Sequence, residues 1–360
     1  MSTQKTLKST ATGDWLVKEA TKQDILAWND NNEQTPFTQT REFAEVKSHF
    51  GWKARYLIAE QKGEVVKLVA LERSLPFLGK LWYIPCGPTT HDITHFSDLM
   101  AALHNYSEAF NVFLIKVEPL FIATPDNKAV IKADAHLQQQ PPIQPPNTLY
   151  VNMSGDEEFT TLGRRARRYA RQARSEGVVV RDVPVDDAHC KVMYDLMQTA
   201  NGGNGVPGQQ RYEYYVSFWK TFATYGTGSL WLAYEGETPV AGAYIIARGK
   251  TVVYKDGGST ANRTSKGVAY YLHAEIMRHF ALKGFERYDM WGMPPSDRVD
   301  DRSHPLYGIG QFKLAFSKDI TEHVGCFDYD GNSSRAWLWR RFGYSAAVRV
   351  HHWLGRGNFW

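Results

Sequence analysis

Cysteine is scarce: Cys86, Cys190 and Cys326 are the only three in 360 residues, and no two form a CxxC pair. A disulfide framework and a cysteine zinc site are therefore excluded, and the usage fits a reducing compartment. No run approaches the length of a spanning helix, and residues 1–14 are polar, so neither a membrane span nor a secretory leader is expected and the chain reads as cytoplasmic. HExxH, GxSxG and the Walker pattern GxxxxGKS or GxxxxGKT are all missing. Zinc-protease, esterase and P-loop chemistry lose their support with them. The adjacent His351 and His352 read as a surface pair, and no metal is expected. What is present is the composition of a packed globular protein, 43% hydrophobic and 13% aromatic, long enough for two domains.

Charge is unevenly placed. Residues 161–181 carry seven arginines against Glu176 alone, and residues 331–360 carry five arginines and no acid. The formal charge of the whole chain is only +4, so the remainder is net negative. Two focused positive regions point to a polyanion or an anionic membrane as partner. In the first region, Arg164, Arg167, Arg168, Arg171 and Arg174 share one side of a helix, and Leu162, Ala166, Tyr169, Ala170 and Ala173 the other. Thr160 or Thr161 is the expected N-cap and Gly177 the expected stop. Arginines with no interleaved acid repel one another, which favours contact with phosphate over a merely solvated face. The second region interleaves its arginines with Trp337, Trp339, Trp353 and Trp360, a mixture suited to base stacking, to a lipid headgroup layer, or to packing on the first domain.

The four prolines within residues 138–147 predict a stiff linker and a boundary near 150. A faint repeat relates the two sides. Tyr56-Leu57-Ile58-Ala59-Glu60 and the turn after it correspond to Leu230-Trp231-Leu232-Ala233-Tyr234 and its turn. The strand beginning Gly79-Lys80-Leu81 corresponds to the one beginning Gly249-Lys250-Thr251. Each is followed by an amphipathic helix, over 95–110 and 266–283, and then by a strand, over 112–117 and 287–291. Hairpin strands, a helix and a further strand make a mixed α/β unit used twice, the order of the acyl-CoA N-acyltransferase (GNAT) unit. The expected organisation is a first domain over 1–150, with 318–360 packing on it, and a second over 151–317. The segment 263–269 matches a CoA pyrophosphate loop only loosely, being one residue too long.

Further segments fall in a telling order: the stretch from Phe37-Thr38-Gln39 to Lys47 with Gly51-Trp52 after it, the basic helix ending Ala173-Arg174-Ser175-Glu176-Gly177, and Tyr254 with Gly257-Gly258-Ser259. Leu306-Tyr307 leading to Phe312-Lys313-Leu314-Ala315-Phe316, and Glu322-His323-Val324-Gly325-Cys326-Phe327-Asp328, complete the set. Together they resemble the Fem family of tRNA-dependent aminoacyl transferases, which build peptidoglycan bridges from two GNAT-like domains. The resemblance spans roughly 14–328, and without a long heptad run the chain is closest to the compact, FemX-like form. It implies that Lys47 and Arg211 contact the diphosphate of the muropeptide precursor and that Tyr215 lines the same groove. Glu118 falls where the family keeps an acid near the incoming amine, here glutamate in place of aspartate. Phe312 and Lys313 correspond to the pair at the tRNA acceptor end, where a ring stacks and an ammonium meets an oxyanion or a phosphate. The family often has tyrosine where this chain has Asp256. Tyr254 remains two residues earlier, so a carboxylate able to orient an ammonium replaces a hydroxyl.

No cofactor is implied beyond aminoacyl-tRNA as co-substrate. The partners implied are that tRNA and, as acceptor, UDP-MurNAc-pentapeptide or lipid II; the tail of arginine and tryptophan adds peripheral contact with the inner face of the membrane as an expectation. The aminoacyl ester is already activated, so aminolysis requires deprotonation of the amine, positioning, and charge near the oxyanion, rather than a metal or a covalent intermediate. A CoA-dependent N-acyltransferase and a noncatalytic RNA- or membrane-binding module are the alternative readings.

Overall fold

The computed structural model describes residues 15–29, 35–199, 210–330, 333–354 and 358–360. Residues 205–209 of the loop before Arg211, Arg356 of the tail and the polar stretch 1–14 lie outside the described residues. The chain divides into two compact units, the first comprising 1–29, 38–144 and 323–350, the second 30–37, 145–322 and 351–360.

In the first unit, β1 (Leu16–Glu19) and α1 (Lys22–Leu26) precede α2 (Arg41–His49), which Thr40 caps by accepting from the Phe43 amide. An antiparallel run of β2 (Lys53–Gln61), β3 (Glu64–Leu75) and β4 (Gly79–Ile84) follows, and α3 (Phe96–Glu108) crosses over to β5 (Val112–Val117), which pairs parallel to β4. Every residue of β5 is buried, which is why its sequence is a nearly unbroken apolar run. Helix α4 (Pro125–Ala133) leads to β6 (Leu137–Gln140). Residues 138–140, read from the sequence as linker, are thus an edge strand. Leu57, Leu68, Trp82, Leu99, Leu103, Ile115 and Val117 fill the core between sheet and helix.

The second unit repeats this order. β7 (Asn147–Asn152), α5 (Arg164–Ser175), β8 (Val179–Val183), α6 (Asp187–Thr199) and α7 (Tyr212–Thr224) lead to the antiparallel run β9 (Gly228–Glu235), β10 (Thr238–Arg248) and β11 (Thr251–Ser259). Helix α8 (Val268–Leu282) crosses to β12 (Arg287–Asp289), parallel to β11. Then come α9 (Tyr307–Lys313) and β13 (Asp319–Glu322). The repeat read from the sequence is therefore β2, β3, β4, α3 and β5 against β9, β10, β11, α8 and β12.

Strand β14 (Cys326–Tyr329) returns to the first unit, and among the described residues there are two seven-stranded mixed sheets, ordered β1-β2-β3-β4-β5-β14-β6 and β13-β7-β12-β11-β10-β9-β8. The C-terminal segment of the first unit begins at 323 rather than 318 and ends at 350, because β13 pairs with β7 and the last ten residues belong to the second unit.

Two local details differ from expectation. The N-cap of α5 is Gly163, not Thr160 or Thr161, and a Cβ there would lie 2.3 Å from the Ala315 carbonyl oxygen. Close approach of backbone selects the glycine. Thr160 instead closes a turn onto the Asp156 carboxylate, with its amide at 2.9 Å. At the other end, Gly177 takes φ +82 and stops the helix as the sequence suggests.

Candidate active site

The site grows from the end of α9. Lys313 is 5% exposed, and its ammonium donates to the carbonyls of Trp291 at 2.5 Å and Gly292 at 2.7 Å. Those carbonyls belong to the turn after β12, where Trp291 has φ +52 and Gly292 φ +33. Asp289 braces the turn from below, accepting from the Trp291 amide at 2.7 Å and from the Thr148 hydroxyl. Burial lowers the Lys313 pKa to about 7, against the opposing pull of Asp289. Burial likewise raises the Asp289 carboxyl.

His273 of α8 is buried beside them, with a ring nitrogen 2.8 Å from the Tyr288 hydroxyl. Burial, with the Lys313 charge, lowers its pKa to about 3, so the ring is neutral near pH 7. The Tyr254 ring lies 4.4 Å from the His273 ring, and Lys313 sits 5.8 Å from its centroid. Gly257 makes room for this tyrosine, since a Cβ there would lie 1.9 Å from its hydroxyl oxygen. A bulge in β11 contributes to the local geometry: Asp256 faces Tyr244 and Tyr254 faces Ile245, leaving Lys255 as the extra residue.

An aromatic path links this cluster to the basic helix. Phe312 packs on His273 at 5.6 Å and on Tyr270 at 4.9 Å, Tyr270 stacks on Tyr169 at 5.2 Å, and the Arg168 guanidinium lies 4.8 Å from the Tyr169 ring centroid. The structure therefore brings Lys313, Phe312, Tyr254 and the arginine helix into one region of the second unit. It also supplies the acid that the helix lacks. Glu158, from the preceding loop, pairs with Arg171 at 2.9 Å and Arg174 at 3.2 Å. Arg167 donates to the Thr160 carbonyl at 3.3 Å, while Arg164 and Arg168 are exposed.

Of the remaining sequence-derived positions, Asp256 adds its charge to the burial that raises the Tyr254 hydroxyl, and the others lie elsewhere. Asp256 accepts from the Trp219 indole and the Lys255 ammonium, each at 3.0 Å. Tyr215 is buried, its ring 5.2 Å from Trp219 and its hydroxyl accepting from the Gln210 amide at 3.4 Å. Arg211 is exposed and stands at the N-cap of α7. Lys47 is in the last turn of α2, its side chain buried and its ammonium 5.3 Å from the Phe43 ring centroid.

Glu118 follows β5. One carboxylate oxygen accepts from the Tyr83 hydroxyl at 2.5 Å, and the other accepts from the amides of Ile143 at 2.7 Å and Gln144 at 2.8 Å. Burial raises its pKa despite these donors. The carboxylate fastens the proline-rich segment to the end of β5.

The loop before α8 is closed by the chain itself. Glu235, at the end of β9, accepts from the amides of Thr264 at 2.9 Å and Ser265 at 2.7 Å. Burial raises this carboxyl, but the two amides outweigh it and hold the pKa below its ordinary value. Gly267 lies against α5 so closely that a Cβ would be 2.1 Å from the Tyr169 carbonyl oxygen. In the first unit Glu64 does the same before α3, accepting from the His91 amide at 2.5 Å and meeting the His95 ring at 3.0 Å.

Sequence reasoning passed over Asp289, His273, Tyr288 and Glu235. The available signal was an aspartate in the otherwise apolar run Tyr288-Asp289-Met290-Trp291, followed by Gly292.

Residues 20–140 match the model described as the FemAB family, and residues 162–298 match the model described as an acetyltransferase (GNAT) domain. Among solved structures, the chain aligns with the crystal structure of FemX at a TM-score of 0.73, with 18% identity, covering 91% of this chain and 99% of that one. The structure of L-PGS from Bacillus licheniformis aligns at 0.51 with 12% identity, covering 93% and 99%. No curated protein matches. Fold and site thus define an acyltransferase-type chain built from two GNAT-like units. More particularly, residues 20–140 are similar to the FemAB family, and the fold as a whole is similar to that of FemX.

Proposed function

We propose that the chain transfers an aminoacyl group from aminoacyl-tRNA to the stem-peptide amine of a peptidoglycan precursor, UDP-MurNAc-pentapeptide or lipid II. The observation that carries this reading is the closed loop before α8. The amides that would face a CoA pyrophosphate there are held by Glu235, and the Tyr169 carbonyl of the arginine-bearing helix fills the space at Gly267. An anionic donor meets a carboxylate at that point, which disfavours CoA. The exposed guanidinium groups of Arg164 and Arg168 offer phosphate contacts to a much larger donor.

The Lys313 pocket fits the chemistry of ester aminolysis. The acceptor amine attacks the aminoacyl carbonyl, the bond from that carbon to the ribose oxygen breaks, and the proton lost by the amine ends on the ribose oxygen. A lysine with a pKa of about 7 can take that proton in its neutral form and return it in its charged form. Phe312 stands at its shoulder to meet the terminal base of the donor. Lys47 and Arg211 are each assigned diphosphate charge, Tyr215 the groove beside Arg211, and Asp256 with Tyr254 the orientation of the acceptor ammonium. Glu118 is assigned to hold the proline-rich segment.

The test is incubation of purified protein with charged total tRNA and either acceptor, followed by mass spectrometry. An acceptor heavier by one aminoacyl residue is expected. Transfer from acetyl-CoA, with none from aminoacyl-tRNA, would select the CoA-dependent alternative.

A further inference from the structure

We propose that the first unit carries a face that lies on an anionic lipid bilayer, formed by the β3–β4 turn and the C-terminal helix. Phe77 sits in that turn, fully exposed, with φ +65. This left-handed backbone is rare for a bulky side chain. The C-terminal helix begins as α10 (Ser334–Leu338), passes through one wider π turn (Trp339–Gly343) and continues as α11 (Tyr344–Trp353). Ala336 and Trp339 point inward, Trp339 against Phe113 at 6.2 Å. Trp337 (59% exposed), Leu338 (44%), Arg341 and Phe342 (54%) point outward, at the i, i+1, i+4, i+5 spacing of one helix side. Helix α11 buries none of its residues and exposes Tyr344 and Val350.

Turn and helix are fastened together. Arg335 donates to the Leu78 carbonyl at 3.1 Å and to the Asn111 side chain at 2.7 Å, and a Cβ on Gly343 would lie 3.5 Å from a Leu78 methyl. Phe77 and the outward helix side are thereby parts of one surface, with an aromatic content that soluble proteins seldom leave uncovered.

Charge identifies the occupant. Residues 331–360 hold five arginines and no aspartate or glutamate. Arg335 is turned to Asn111 and Arg340 pairs with Asp330 at 2.5 Å, while Arg341 and Arg349 are exposed. The Arg341 guanidinium lies 5.0 Å from the Phe342 ring centroid, and Arg349 is exposed further along α11. Exposed rings beside arginine, with no acid among them, match an anionic headgroup layer over an acyl boundary. Leu338 and Val350 have no face on which a nucleic-acid base could stack, whereas acyl chains can cover both, so the bilayer is favoured over RNA. No helix among the described residues is long and apolar enough to cross a membrane, so the contact is one of lying on the surface. The inference is independent of the transfer chemistry.

The experiment is co-sedimentation of the full chain with vesicles containing phosphatidylglycerol, with vesicles of phosphatidylcholine alone as comparison. Wild type is expected on the anionic vesicles, less so as salt rises. Trp337→Ser, and Arg341→Glu with Arg349→Glu, should each weaken binding about tenfold at an unchanged melting temperature. Phe77→Gly should also weaken it while keeping or raising the melting temperature, since glycine accepts the backbone conformation freely. Failure of wild type to bind, or equal binding by wild type and Trp337→Ser, overturns the proposal. So does a Trp337→Ser variant that loses tRNA affinity or dissociates a dimer yet keeps its vesicle binding.

Discussion

Lys116 in the first unit and Lys313 in the second are both buried ammonium groups, and their partners differ. Lys116 meets the Asp328 carboxylate at 2.6 Å, whereas Lys313 meets two peptide carbonyls and has its charged form destabilised by burial. A full opposite charge in contact makes an ion pair that holds β14 to β5. Dipoles hold a cation more weakly, so the proton becomes easy to remove. Both units close the loop before the crossover helix with their own glutamate, Glu64 or Glu235, yet among the described residues only the second places a lysine of lowered pKa beside an aromatic path to an arginine helix. A duplicated fold thus keeps its architecture in both copies while the lysine with the lowered pKa lies in one.

That contrast is open to direct attack. The largest expected effect is on stability: Lys116→Met leaves Asp328 buried without its nearest cation and should cost about 3–5 kcal/mol in denaturant unfolding, while turnover per folded molecule is unchanged. A large fall in turnover there would erase the distinction between the two lysines. Next, Lys313→Met should lower transfer about 10²–10³-fold with saturating aminoacyl-tRNA and leave precursor affinity almost untouched. Smaller still, Arg211→Ala and Lys47→Ala should each weaken precursor binding by about 1.5–3 kcal/mol in calorimetry, with the melting temperature preserved for exposed Arg211 and lowered for buried Lys47. Wild-type affinity in both would remove the assigned diphosphate contacts. The smallest change is in salt dependence. Arg164→Glu with Arg168→Glu should flatten the slope of log K against log salt for tRNA, whereas Arg171→Gln with Arg174→Gln, whose partners lie in the Glu158 loop, should change that slope less. Equal slopes in both double variants would mean the pairing with Glu158 does not withhold those two arginines from phosphate.

Much of the fold was legible in the sequence because it rests on local periodicity. β5 is an apolar run that matches the observed strand end to end, and α3 and α8 announce themselves by amphipathic spacing. The expected strand over 287–291 ends early, at Asp289, because Trp291 turns into positive φ under the hold of Lys313 and Asp289. The N-cap of α5 was misread for a similar reason: a threonine is the better cap locally, but the Ala315 carbonyl, far along the chain, admits only glycine. Glu158 reaching Arg171 and Arg174 depends on how a loop returns on its helix, which no spacing encodes. Of the site, Phe312, Lys313, Tyr254 and the arginine helix could be named from motif order. His273, Asp289 and Glu235 could not, because a single polar residue in an apolar helix or at a strand end leaves no periodic trace.

The most direct test of a lysine poised near neutrality is the pH profile of transfer by wild type beside that of Lys313→Met. Raising pH deprotonates the acceptor amine in both, so both rates should climb towards its ordinary pKa of about 10.4. Below about 7, wild type should lose rate more steeply, by about one further power of proton concentration, because Lys313 is then also charged and cannot take the proton. The variant should show a single slope across that range. A wild-type profile without the break near 7, or a variant that retains it, would contradict the assignment of Lys313 as the group that carries the proton.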